Sequence, residues 1–235
     1  MRRSEKSVWL TILIVELAFV VLTRVVLAQL PDSPVGAELL RTVLRLVAVL
    51  VYLKLIPVLI NFKGTGSIGD SVVHPMVLLS FVLFLTVPFL TGNYGTASTV
   101  TRLVFALASF PVALKEEITF RALIQNLLAK RFGTLAAVLL ATALFVCYHI
   151  GVIAPGWVNY ARVGVVGLFL GVLYARSQCL WLVIGLHTVY DAVQCLGPVF
   201  SRTLSQQAGL VLESVCLVLI LKWSWIVIRP GRALK

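Results

Sequence analysis

The sequence predicts an all-α fold, a polytopic membrane helix bundle of about eight transmembrane helices with both termini cytoplasmic. Three observations predict it. Apolar residues make up 60% of the 235-residue chain, against roughly 45–50% in a soluble domain. They come in long runs rather than at the spaced positions of an amphipathic soluble helix. Lysines and arginines gather on alternate connections between those runs, the bias that marks cytoplasmic loops.

A helix needs about 20 mostly apolar residues to cross the hydrocarbon core. On that measure the spans run Val8 to Ala28, Leu39 to Ile60, Pro75 to Thr91, Thr99 to Leu128, Thr134 to Ile153, Val158 to Ala175, Cys179 to Leu196 and Ala208 to Ile228. The breaks carry turn chemistry, at Pro31 to Pro34, Gly64 to Gly66, Gly92 to Gly95, Gly133, Pro155 with Gly156, and Gly197 with Pro198. If the spans alternate, Arg2, Arg3, Lys6, Lys63, Lys130, Arg131, Arg176, Arg229, Arg232 and Lys235 share one side, and the opposite connections carry only Arg202. The basic start, Met1 to Lys6, resembles a signal peptide, but the apolar run after it is too long, and it reads as a retained first helix.

Residues 1–235 read as a single domain with a motif-bearing core at about 111–197, with no internal repeat or low-complexity tract. Gly164, Gly167, Gly171 and Ala175 give the sixth span a small-residue face for close helix packing. The four cysteines all fall within spans and form no CxxC pair, so they read as small apolar residues. The formal net charge of +11 invites a nucleic-acid partner, yet the basic residues are scattered and form no arm or helix to follow phosphates, so none is expected. Arg24, Arg41, Arg45 and Lys54 read as snorkelling toward head groups.

Ionisable residues deep in a bilayer are functional or tightly paired by default. Three groups stand out: Glu116, Glu117 and Arg121 in the fourth span, Phe145 and His149 in the fifth, His187 and Asp191 in the seventh. Glu117 and Arg121 are four apart and can pair along one face, as can His187 and Asp191, while Glu116 lies about 100° round the helix. Lys115 reads as neutralising the neighbouring carboxylates, and His74 has no partner in view. Counted from the expected cytoplasmic ends, Glu116 and His149 lie roughly 20 Å deep, Asp191 roughly 18 Å and His187 roughly 12 Å. Three helices thus bring polar groups to similar depth. A glutamate and a histidine meeting in a low-dielectric site can activate a water, and further donors can stabilise an oxyanion, which together make a peptide hydrolase without a serine or cysteine nucleophile. No HExxH zinc-protease helix is present.

These motifs, EExxxR, FxxxH and HxxxD in that order, resemble the CAAX prenyl protease and bacteriocin-processing (CPBP, abortive-infection) family of intramembrane endopeptidases. The resemblance covers about Pro111 to Gly197. It implies that Glu116 is the general base, that His149 holds the same water, that Glu117 steadies the site through Arg121, and that His187 and Asp191 face the scissile carbonyl. The family commonly has asparagine at the last position, so Asp191 is expected instead to orient His187.

The resemblance implies no cofactor under a glutamic mechanism; a zinc ion on Glu116, His149 and His187 is the alternative. The expected partners are the lipid bilayer and a membrane-anchored protein or peptide. The short chain, without a long targeting extension, suggests a bacterial inner membrane, and there a precursor peptide or a C-terminal sorting tail rather than a prenyl protein. The rival class is a non-catalytic membrane protein, acting in bacteriocin immunity or regulation, or a proton-coupled transporter. Every motif position is retained, which favours the enzyme, and the transporter would be expected to show an internal repeat.

Overall fold

The computed structural model describes residues 3–29, 33–59, 75–91, 97–196 and 205–227. Within them the chain is all-helical. In order come α1 (Arg3–Gln29), α2 (Pro34–Leu59), α3 (Pro75–Thr91), α4 (Thr99–Glu117), a π-helical segment (Ile118–Gln125), α5 (Asn126–Phe132), α6 (Thr134–Tyr148), α7 (Trp157–Ser177), α8 (Leu180–Leu196) and α9 (Gln206–Val227). Because α4, the π-helical segment and α5 run on as one rod, the described residues form eight rods, one for each predicted span. Arg2, Lys63, His74, Arg202, Arg229, Arg232 and Lys235, and the predicted turns at Pro31, Gly64, Gly92 and Gly197, lie outside the described residues.

Three stretches are long and apolar enough to cross a membrane by length and composition, Lys6–Val25, Trp157–Ser177 and Gln206–Ser224, and Val77–Thr91, Thr134–Tyr148 and Leu180–Leu196 are shorter apolar helices. Large apolar side chains face outward along the rods, among them Leu13 and Leu17 on α1, Leu107 on α4, Leu135 on α6 and Val211 on α9. An apolar outer surface on that scale needs an apolar surrounding, as in a membrane protein.

The rod boundaries follow local chemistry. Ser98 caps α4 by accepting a hydrogen bond from the Thr101 amide at 3.2 Å. Gly133, at φ +79°, makes the one-residue corner between α5 and α6. The fifth span was expected to continue to Ile153, but α6 stops at Tyr148. His149 caps it, and Gly151 at φ +77° turns the chain away although Ile150, Val152 and Ile153 are apolar.

Packing at the centre is close. Phe84 of α3 stacks on Phe169 of α7 and Tyr190 of α8, with ring centroids 4.4 and 4.6 Å apart. The small-residue face of α7 lies against α6 and the π-helical segment. A methyl group at Gly167 would meet Phe145 and Thr142 at 3.1 Å, and one at Gly171 would meet Gln125, Val138 and Arg121 at 3.2 to 3.3 Å.

A buried ionic cluster ties α7, α8 and α9 to α3. Arg162 donates through Nε to both Glu213 carboxylate oxygens at 3.0 Å and through Nη2 to Glu213 at 2.6 Å, Tyr190 at 3.0 Å and Thr91 at 3.3 Å. Gln206 and the Tyr190 hydroxyl, which also bonds Glu213, complete it. Removing one partner of a buried pair strands the other charge. Glu213→Ala is therefore expected to destabilise the protein by about 3–5 kcal/mol, read as a lower unfolding temperature in detergent, with Glu213→Asp falling in between. An unchanged unfolding temperature would show that Arg162 needs no counter-ion.

Candidate active site

The fourth rod supplies the acidic centre. Glu117 and Arg121 are both fully buried and pair at 3.0 Å through Oε2 and Nε. The i, i+4 contact read from the sequence is present even though Arg121 sits in the π-helical segment, a widened turn of the kind often found at functional sites. The other Glu117 oxygen contacts Nδ1 of His187, on α8, at 2.8 Å. One carboxylate therefore holds an arginine and an imidazole at once.

Glu116 turns the other way, toward the opening. Its Oε2 has no hydrogen-bond partner in the protein and lies 4.0 Å from His149 Nε2 and 4.0 Å from His187 Nε2. The phase difference of about 100° between neighbouring helical residues gives these two glutamates their separate surroundings. His149 is held by the end of its own helix, since Nδ1 lies 2.8 Å from the Phe145 carbonyl. A carbonyl only accepts, so Nδ1 carries the hydrogen and Nε2 is left facing Glu116.

Phe145 fills the space between these groups. Its ring lies edge-on to Phe120 with centroids 5.1 Å apart, 4.5 Å from the His149 ring centroid, and 5.4 Å from the Arg121 guanidinium carbon. Asp191 is 3.4 Å from His187 Nε2 and is the most exposed of the group, its side chain 31% accessible. The contact expected between this pair is present. The close hydrogen bond that orients the His187 ring, however, comes from Glu117 on Nδ1, while Asp191 meets the nitrogen that also faces Glu116.

All seven residues picked out in the sequence thus gather in one place. Glu116, Phe145, His149, His187 and Asp191 line a cavity of about 520 Å³, within the usual range of ligand pockets, roughly 300–1,000 Å³. Glu117 and Arg121 lie behind its wall. Among the described residues, no set of three or more His, Cys, Asp or Glu side chains is spaced to hold a metal ion.

Two expectations are corrected. The direct counter-ion of Lys115 is Glu16 rather than Glu117, and Glu116 adds only a longer-range attraction. Lys115 bonds Glu16 of α1 and donates to the Tyr148 hydroxyl at 3.0 Å. Tyr52 of α2 donates to the same Glu16 carboxylate at 2.6 Å. The helix turns Lys115 away from Glu117, and Glu16 offers a counter-ion where water is excluded. Arg41 and Arg45 are not simply snorkelling either, because both pair with the buried Glu38, and Arg45 reaches the cavity wall.

Sequence reasoning missed Glu16, Glu38, Arg162 and Glu213. The signal was available, since each is a charged residue in or beside an apolar run and such residues need partners. The identity of each partner, across as many as 99 positions for Glu16 and Lys115, was not readable.

No curated protein and no solved structure matches this chain. Residues 97–193 match the family model described as Type II CAAX prenyl endopeptidase Rce1-like, a stretch that runs through α4 to most of α8 and contains every one of the seven site residues. That segment of the chain is therefore similar to the type II CAAX prenyl endopeptidases, the same family that its EExxxR, FxxxH and HxxxD motifs resemble.

Proposed function

We propose that this protein is an intramembrane endopeptidase in which Glu116 and His149 activate a water molecule to hydrolyse a peptide bond of a membrane-anchored protein or peptide. The observation that carries the reading is the unpartnered Glu116 Oε2, 4.0 Å from the Nε2 atoms of two imidazoles brought by two other helices. A water there would give its proton to Glu116 as its oxygen attacks the carbonyl carbon. His187, with its far nitrogen held by Glu117, stabilises the negative charge that develops on the carbonyl oxygen. Glu116 then passes the proton to the amide nitrogen as the carbon–nitrogen bond breaks, leaving a carboxylic acid and an amine as products.

Glu117 and Arg121 act by holding His187, and Asp191 sits where the carbonyl would enter. The chain works as one unit of about eight spans in a bacterial inner membrane with both termini cytoplasmic, a reading supported by the eight rods and by the basic residues on alternate connections. A zinc ion on Glu116, His149 and His187 is the alternative the motif resemblance implies, but among the described residues no three such side chains are spaced to hold a metal ion.

Three outcomes are expected when purified protein is incubated with a panel of membrane-anchored peptides and products are read by mass spectrometry. Glu116→Gln lowers the rate by about 10²–10⁴-fold, the usual contribution of a general base, with an unchanged unfolding temperature; a variant that cleaves like the parent would remove Glu116 from the chemistry. Glu117→Ala lowers both rate and stability, the latter by about 3–5 kcal/mol, because Arg121 loses its counter-ion. Chelators leave the rate unchanged, whereas loss of activity reversed by added zinc would establish the metal reading.

A further inference from the structure

A buried cation stands beside the proposed base and takes no part in the proposed chemistry. Lys115 is 1% exposed, and its ammonium bonds Glu16, donates to the Tyr148 hydroxyl at 3.0 Å and lies over the Phe19 and Tyr148 rings, 4.4 and 4.6 Å from their centroids. Two carboxylates attract it. Glu16 of α1 is in direct contact, and Glu116, the next residue along the chain, acts at longer range, while Arg45 of α2 repels it. Glu16 is itself held in place: Tyr52 donates to its Oε1 at 2.6 Å, and the Thr119 hydroxyl lies 3.3 Å from the same oxygen. Its other oxygen, Oε2, meets Lys115.

An ammonium shut away from water keeps its charge at an acceptable cost only beside a counter-ion. With Glu16 neutral, the remaining carboxylate that attracts Lys115 is Glu116. Neighbouring side chains leave a helix about 100° apart, an angle that the flexible four-carbon stem of lysine can close. The Glu116 Oε2 has no hydrogen-bond partner in the protein, and it is the atom the proposed reaction needs unpaired.

We infer that Glu16 is a positioning residue for the proposed hydrolysis, engaging Lys115 from α1 so that this ammonium stays off Glu116 and leaves Oε2 free to take a proton from water. The inference rests on the peptidase reading for the reaction and adds a residue on which its base depends. Glu16 touches no reacting atom and acts only through Lys115.

The placement is tested without activity. Protein with isotopically labelled lysine nitrogen and glutamate carboxyl carbon is reconstituted in lipid vesicles, and solid-state NMR reads which carboxyl carbons lie next to the Lys115 ammonium, itself assigned by its absence in Lys115→Met. In the parent the expected contact is to Glu16, recognised by its loss in Glu16→Gln. In Glu16→Gln a new contact to Glu116 is expected, recognised by its loss in Glu16→Gln/Glu116→Gln. A Lys115 ammonium that gains no contact with Glu116 in Glu16→Gln overturns the inference.

The effect on rate is read with the membrane-anchored peptide of the panel that the parent cleaves, per folded protein and below the lowest unfolding temperature of the set. Glu16→Gln is expected to lower kcat by about tenfold or more at unchanged KM, a part of the 10²–10⁴-fold that a general base supplies. Glu16→Asp, which keeps a counter-ion, retains more of the rate. Lys115→Met breaks the same ion pair from the other side but leaves no cation to capture Glu116, so its loss is the smaller one, and Glu16→Gln/Lys115→Met falls with Lys115→Met rather than below it.

Equal losses in the two single variants, or a double variant slower than Lys115→Met by the full Glu16→Gln factor, overturn the inference, because that is the pattern of a residue that only docks α1. Should Glu16→Gln fail to fold, Glu16→Asp with and without Lys115→Met carries the same comparison. If the NMR contacts change as expected while Glu116→Gln cleaves as fast as the parent, the peptidase reading fails instead and the Lys115 contact stands.

Discussion

An ion inside an apolar bundle has few ways to exist, because taking it from water costs several kcal/mol unless a partner of opposite charge and hydrogen bonds replace the lost solvent. Among the described residues, three interior clusters that link helices meet that constraint, Lys115 with Glu16, Arg121 with Glu117 and His187, and Arg162 with Glu213, beside Glu38 with Arg41 and Arg45 within α2. Each of the three joins helices distant in sequence, so the ion pairs also fix the arrangement of the rods. Against that background Glu116 is the exception, a buried carboxylate whose Oε2 is left without a protein partner and turned into a cavity. Among the described residues Glu16, Glu38, Glu117 and Glu213 have basic partners, whereas this oxygen is left available.

Two adjacent glutamates in one helix come to do different things through geometry alone. Glu117 faces the packed interior, where Arg121 and His187 take up its oxygens, and it is fully buried. Glu116, one residue earlier, faces the cavity and two imidazole nitrogens. The imidazoles are anchored through their far nitrogens, His149 by the Phe145 carbonyl and His187 by Glu117, so both present Nε2 to the same point. Under the proposed chemistry such anchoring would orient both rings before a substrate arrives, the preorganisation on which protein sites depend.

Much of this was legible in the sequence for physical reasons. Long apolar runs mark rods because lipid and water separate residues so strongly, and the third span agrees at both ends, Pro75 and Thr91. The pairs at i, i+4 were legible because helical spacing is local. Where α6 ends was not, since Ile150 and Val152 continue the apolar pattern and the change of direction depends on the backbone of His149 and Gly151. The π-helical turn after Glu117 leaves no mark in composition. The partners of Lys115 and Arg162 were hidden because complementarity across helices depends on packing, and each charged residue offered several candidate counter-ions.

The Lys115 cluster also bears on what counts as the working unit. Lys115 adjoins Glu116 and Tyr148 adjoins His149, and these two neighbours are bonded to one another and, through Lys115, to Glu16. The spacing of Glu116 and His149 is thus braced from behind by an acid on α1 and a tyrosine on α2. The family match, residues 97–193, contains neither Glu16 nor Tyr52, and it also lacks Thr91 and Glu213 from the Arg162 cluster. Cut out as a fragment, the recognisable portion would carry all seven motif side chains together with two stranded cations, so the signature is smaller than the piece of chain that satisfies its own buried charges.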